Sequence, residues 1–190
     1  ILFLNSDGTV KSSTRYEPAS LDTGDYFGWS VDRIGDLDNN GTVDIAVGAP
    51  RDDDGGTNDG AVYVLFLTAD GTVQSTQKIS DVAGGFTGDT DAADNFGSAV
   101  AYIGDVNGDG TSDLLVGANE DEGGGNRKGS VYLFLMNTDG TVKSSQSLGM
   151  NQNGFTGSIA NEDFFGTSIA SWQDANSKWH VAVGATGTDD

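Results

Sequence analysis

Two short segments carry the residue types and spacing of a cation site. They are Asp36-Leu37-Asp38-Asn39-Asn40-Gly41-Thr42-Val43-Asp44 and Asp105-Val106-Asn107-Gly108-Asp109-Gly110-Thr111-Ser112-Asp113. Both read D-x-[DN]-x-[DN]-G-x-x-D. Calcium takes about six to eight hard oxygen ligands. Side chains at positions 1, 3 and 5 (Asp36, Asp38 and Asn40; Asp105, Asn107 and Asp109) turn inward around such an ion. Glycine at position 6 permits the sharp bend. Thr42 and Thr111 offer a backbone carbonyl at position 7, and Asp44 and Asp113 close the shell at position 9 with both oxygens. Helix–loop–helix calcium sites share the early spacing but end on a Glu at position 12. Here the ninth residue leads straight into an apolar run, so each loop is expected to join two strands. The alternative is an Asp/Asn/Gly turn with no ion. Two matches at one repeat position weigh against it, as does the repulsion among converging carboxylates. The expectation is two Ca2+ sites. Magnesium suits them less well, because it dehydrates reluctantly.

A third segment, Asp174-Ala175-Asn176-Ser177-Lys178-Trp179-His180, keeps positions 1 and 3. It is shorter, lacks the glycine and puts His180 where the closing Asp stood. No calcium is expected there. His180 is read as a strand-edge residue, since no partner constellation accompanies it.

The elements that must position these loops recur with them. Phe27-Gly28, Phe96-Gly97 and Phe165-Gly166 repeat every 69 residues, as do Asp36, Asp105 and Asp174. Val47-Gly48-Ala49, Val116-Gly117-Ala118 and Val183-Gly184-Ala185 follow, as do three Asp-Gly-Thr-Val segments beginning at Asp7, Asp70 and Asp139. Each unit reads as four short strands, at 27–34, 43–47, 61–67 and 72–79, then 96–103, 112–116, 130–136 and 141–148. Asp-Gly joins the third strand to the fourth in a hairpin. The chain opens on the last two strands of a unit (1–4 and 9–16) and closes on the first two of another (165–172 and 179–185). The predicted fold class is all-β: four-stranded antiparallel propeller blades, about three per chain. The single repeat domain 1–190 divides into a half-blade at 1–16, blades at 27–79 and 96–148, and a half-blade at 165–185. Three blades do not close a ring. Either the chain is a piece of a longer propeller, or two chains form a six-bladed, two-fold ring as a homodimer.

Composition bounds the partners. The 190 residues hold 29 Asp and Glu against 9 Lys and Arg, a net charge of −20. Nucleic acid and anionic membrane surfaces are therefore disfavoured, and no apolar run suggests membrane insertion. With no Cys and one His, disulfides and Cys or multi-His metal sites are excluded. The opening Ile1-Leu2-Phe3-Leu4 shows no Met and no signal-peptide pattern, which reads as a processed or excised piece.

The Phe-Gly pairs, the D-x-[DN]-x-[DN]-G-x-x-D loops and Val47-Gly48-Ala49-Pro50 together resemble the FG-GAP repeat, across essentially the whole chain. That repeat builds the propeller of integrin α subunits and occurs in fungal lectins and bacterial surface proteins. The resemblance implies calcium in the loops at 36–44 and 105–113, an extracellular or cell-surface location and a binding or adhesion role. The unit departs from the pattern where Asn119 and Thr186 replace the proline. Loops 50–60 and 119–128, with the connections 80–95 and 149–164, form the opposite face; they are either solvated acidic loops with no partner or the place where a protein or glycan ligand would bind. A further cation at Asp52-Asp53-Asp54 is a weak reading, since consecutive residues converge poorly. Phe27, Phe96 and Phe165 are read as packing residues, and so are Trp29, Trp172 and Trp179.

Three functions follow: a calcium-stabilised binding module, an accessory portion of a larger extracellular enzyme, and a lectin-like structural oligomer for multivalent display. Catalysis within this chain is disfavoured. No nucleophile–base pair, phosphate loop or zinc set is present, although carboxylate pairs remain numerous.

Overall fold

The computed structural model describes residues 1–88, 90, 93–122 and 126–187. Twelve strands make up the regular structure of the described residues: β1 (Leu2–Leu4), β2 (Val10–Ser13), β3 (Ser30–Gly35), β4 (Asp44–Ala49), β5 (Ala61–Leu67), β6 (Val73–Ile79), β7 (Phe96–Gly104), β8 (Asp113–Ala118), β9 (Ser130–Met136), β10 (Val142–Ser147), β11 (Ser168–Gln173) and β12 (Trp179–Gly184). Sequential antiparallel pairing yields two four-stranded sheets, β3-β4-β5-β6 and β7-β8-β9-β10, flanked by the pairs β1-β2 and β11-β12. These are propeller blades and parts of blades, and the sheets do not close on themselves. No helix among the described residues is long and apolar enough to cross a membrane.

Two-residue periodicity explains the stacking of the blades. In β5 all seven residues are buried, but alternate side chains serve different layers. Val62, Val64 and Phe66 join Ile34, Leu37, Phe96, Leu114, Val116 and Phe134 in the core between the two complete blades. Tyr63, Leu65 and Leu67 point the other way, onto Phe27, Tyr16 and Leu21. The far face of the second blade repeats this, packing Ile103, Leu115 and Val131 against Phe165, Ile169, Trp179 and Val183. The glycines set how closely adjacent blades approach. A Cβ on Gly48 would lie 2.0 Å from the Gly97 carbonyl oxygen, and one on Gly117 would lie 2.2 Å from that of Gly166. The backbones of neighbouring blades therefore touch directly. Phenyl rings complete the contact: Phe3 covers Gly71 and, one unit later, Phe66 covers Gly140.

Three expectations about element edges and aromatics change. The segments Phe27–Trp29 and Phe165–Thr167 are not strand. They form turns in which the Trp29 and Thr167 amides donate to the Tyr26 and Phe164 carbonyls at 3.0 and 3.2 Å. Tyr26 and Phe164 hold positive φ, at 59° and 52°. Phe86, in a connection read as a loop, is buried and stacks on Phe96 at 5.1 Å. Trp29 and Trp172 are 64% and 50% exposed, so only Trp179 is packed as read, edge-on to Tyr102. The reason lies in their neighbours: Trp29 stacks on solvent-facing Tyr26, and Trp172 stacks on His180 on the outer β11-β12 pair.

Candidate metal centre

Each D-x-[DN]-x-[DN]-G-x-x-D loop spans the gap between the first and second strands of a complete blade. In the first, Asp36 Oδ1 accepts the Asn40 amide at 2.9 Å and its Oδ2 accepts the Gly41 amide at 2.9 Å. Asp38 Oδ1 also accepts the Asn40 amide, at 3.1 Å, and Asn40 Oδ1 accepts the Thr42 amide at 2.8 Å. These bonds fold the loop back on itself, and Gly41, at φ 89°, makes the bend that other residues rarely adopt. Asn40 Nδ2 donates to Asp38 Oδ2 and to the Leu67 carbonyl, each at 3.0 Å, anchoring the loop to the end of β5.

Asp44 plays a second part that its spacing does not reveal. It is fully buried. Its Oδ2 accepts the Leu37 amide and its Oδ1 the Leu67 amide, both at 2.9 Å. The carboxylate thus pins the loop to the third strand. An ionised carboxylate has about four lone-pair sites, so these bonds leave acceptor capacity facing the loop. Burial pushes the Asp44 carboxyl up from its ordinary value. The Leu67 and Leu37 amides oppose that rise, and the Asp38 charge adds to it. Ligand oxygens of Asp36, Asp38 and Asp44 lie within 4.8 Å of one another. Three converging carboxylates, one of them buried, are the hard, anionic donor set that a calcium ion needs.

The second loop repeats the design with one difference. Asp105 Oδ1 accepts the Gly108 amide at 2.7 Å, and its Oδ2 accepts the Gly110 amide at 2.7 Å. Asn107 Oδ1 accepts the Asp109 amide at 2.8 Å, and Asp109 Oδ1 accepts the Thr111 amide at 3.0 Å. Asp113 is fully buried, its oxygens taking the Val106 and Met136 amides at 2.9 and 3.1 Å. Burial pushes its carboxyl up as well. Asp109, however, is engaged by an ammonium group. Lys143 Nζ lies 2.8 Å from its Oδ2 and holds the Asp109 carboxyl down to about 2. Among the described residues, the first loop alone gathers three acidic ligand atoms within 4.8 Å.

In the third turn, Asp174 Oδ1 accepts the Asn176 and Lys178 amides at 2.8 and 3.0 Å, while His180 Nε2 lies 3.3 Å from its Oδ2. The Asp52-Asp53-Asp54 run has a lysine beside it. Lys78 Nζ reaches Asp52 Oδ1 at 2.7 Å and also contacts Asp54, and Tyr63 donates to Asp52 Oδ2 at 2.7 Å. Neither lysine carries a local sequence signal, because each acts across its sheet. Of the loops on the opposite face, 50–60 is described throughout. The connection 80–95 and the loop 119–128 lie partly outside the described residues.

Residues 27–65 and 96–134 each match the FG-GAP repeat family. The chain carries FG-GAP repeats. Both matches run from the Phe-Gly pair through the D-x-[DN]-x-[DN]-G-x-x-D loop into the third strand. In physical terms, the Phe-Gly glycine and the glycine of the second strand are the two partners of the backbone contact between blades. The chain is 31% identical to integrin alpha-PS2 of Drosophila melanogaster over 172 residues, 87% of this chain and 12% of that protein. It is 34% identical to integrin alpha-6 of Gallus gallus over 84% of its length and 13% of the relative's. Integrin alpha-8 of Homo sapiens is 31% identical over 86% of the chain and 15% of the relative. The FG-GAP chain thus spans roughly an eighth of the length of the curated relatives it matches.

Proposed function

We propose that this FG-GAP chain is a calcium-stabilised propeller segment that acts outside the cell as a binding and adhesion module for a protein or glycan. The observation that carries the reading is the cluster of Asp36, Asp38 and Asp44 oxygens within 4.8 Å, set on a loop whose innermost carboxylate is buried. Asp36, Asp38, Asn40 and Asp44, with the Thr42 carbonyl, would hold one ion. Asp105, Asn107, Asp109, Thr111 and Asp113 would hold a second. A bound cation offsets the repulsion among these carboxylates and locks the first strand to the second and third. At about 100 times Kd each ion contributes roughly 2.7 kcal/mol of stability. Extracellular calcium suits sites of modest affinity. Likeness to integrin alpha chains supports an adhesive rather than a catalytic role. The loops on the face opposite the cation loops would meet the ligand, as rigid scaffolds commonly arrange.

The test is calorimetric titration of calcium into chelator-stripped protein, with thermal melts in calcium and in chelator. Two ions per chain and a lower melting temperature in chelator are expected. No heat and an unchanged melt would remove the calcium reading.

A second reading, closure between two chains, draws support from exposure at the outer strands. Leu2 and Leu4 are 65% and 60% exposed, whereas Leu65 and Leu67, at the same repeat positions, are 3% and 8% exposed. A partner sheet stacked on this face would cover them, as Phe27 and Tyr16 pack against the face of Leu65 and Leu67. Light scattering separates the readings: twice 19.6 kDa supports a shared ring, and 19.6 kDa opposes it.

A further inference from the structure

Both cation loops carry three carboxylates and one amide at positions 1, 3, 5 and 9: Asp36, Asp38 and Asp44 with Asn40, and Asp105, Asp109 and Asp113 with Asn107. Judged by the motif, they should bind calcium equally. The difference comes from outside it. Lys143, near the start of β10, places its Nζ 2.8 Å from Asp109 Oδ2, the same oxygen that takes the Asn107 amide at 3.0 Å. One unit earlier the equivalent residue is the uncharged Gln74. There position 5 is Asn40, whose amide bonds to Asp38 and the Leu67 carbonyl.

We infer that Lys143 sets the cation affinity of the second loop and holds it below that of the first. The inference rests on the calcium reading above. An ion entering the second loop competes with the Lys143 ammonium for Asp109 Oδ2. If Lys143 stays, it repels a divalent ion a few ångströms away. If it leaves, the Lys143–Asp109 pair is lost. The Lys143 side chain is 53% exposed, so it can swing into water, which makes the effect a graded handicap rather than a block. Repulsion between an ammonium and a divalent ion at that range, in a water-like dielectric, amounts to about tenfold in affinity. The two loops therefore fill in order as calcium rises, the first loop before the second. Lys143 fixes the interval between them.

Calcium titrated calorimetrically into chelator-stripped wild type, Lys143→Gln and Gln74→Lys tests this. Wild type should show two resolved affinities. Lys143→Gln should tighten the weaker by about tenfold and leave the stronger unmoved. Gln74→Lys should weaken the stronger. The handicap in wild type should shrink in high salt, because the pair is exposed. Asp36→Asn, which impairs the first loop, assigns each affinity to its loop. Two ions bound with affinities that neither lysine exchange moves would overturn the inference and leave the calcium reading intact. An absence of binding in all variants would overturn both.

Discussion

Gly48→Ala tests whether blade spacing is set by the backbone. Gly48 lies in β4, and alanine suits a strand at least as well as glycine there, so any cost must come from the neighbouring blade. The added methyl would sit 2.0 Å from the Gly97 carbonyl oxygen and 2.3 Å from Ser30 Oγ. Comfortable contact lies near 3.5–4.0 Å, so the blades must part by more than about 1 Å. Overpacking of this kind costs about 1–3 kcal/mol. The Ser30 Oγ–Gly97 bond, 2.8 Å long, also breaks, at about 1 kcal/mol more. A total near 3 kcal/mol lowers the melting temperature of a chain this size by about 6–12 °C. Gly184→Ala is the matched control. It holds the same repeat position in β12, but its nearest neighbour is the Ser168 hydroxyl at 2.3 Å and everything else lies at 3.6 Å or beyond. A rotating hydroxyl relieves that clash, so a shift of about 3 °C or less is expected. The assay is a circular-dichroism melt of the three proteins in saturating calcium. If Gly48→Ala melts within 2 °C of wild type, the backbone contact does not set the spacing and the argument is refuted.

Further outcomes are expected in the same assay or close to it. Asp44→Asn, measured in chelator, should cost about 2–4 kcal/mol, because an amide replaces one of two buried acceptors and turns a donor toward a donor. Asp38→Asn should stay within about 0.5 kcal/mol, since the second loop already uses Asn107 there. Equal losses for the two would contradict the pinning role of Asp44. Phe86→Ala should cost about 3–5 kcal/mol by urea titration, well above Phe155→Ala, whose ring is only partly buried. Alkaline melts probe Lys78: burial pulls its ammonium down, but the bonds to Asp52 and Asp54 together outweigh burial and raise it above its ordinary 10.5. A raised lysine stabilises fully below the unfolded value, and that contribution is lost as pH rises through the folded one. Burial likewise pushes Tyr63 up to about 12, so unfolding gains as free tyrosine ionises. Wild type should hold its margin over Lys78→Met up to about pH 10 and lose it above. A margin unchanged to pH 12 would count against the ion pair.

Much of this molecule was legible in its repeat offsets. The third strands, Ala61–Leu67 and Ser130–Met136, were delimited to the residue, because β-branched and aromatic runs abut Gly60 and Gly129 on one side and the Asp-Gly hairpins on the other. Two of the first strands were read too long at their start, at 27 and 165 where β3 and β11 begin at Ser30 and Ser168, whereas the reading 96–103 fits β7. A positive φ at Tyr26 or Phe164 leaves no trace in residue type, as it does at glycine. The D-x-[DN]-x-[DN]-G-x-x-D loops between first and second strands were located by spacing, yet the inward anchoring of Asp44 and Asp113 was not, since it depends on Leu67 and Met136, 23 residues away in each case. Lys143 and Lys78 escaped for the same reason. A charge that closes across a sheet becomes visible only when strand register is known. Trp29 shows the opposite failure: a large apolar residue invites burial, but its neighbour on the fold is an exposed ring.

The phenyl–glycine contact has a consequence for how such a chain can lengthen or shorten. Phe3 rests on Gly71 and Phe66 on Gly140, so each third strand reads only the hairpin of its successor. Coupling is confined to nearest neighbours, as in other stacked repeats. Splicing in one whole 69-residue unit would therefore give every ring its glycine and every backbone contact its partner. An insertion of any other length within a strand would break the register at one seam. The architecture can therefore lengthen by whole modules without repacking anything already built.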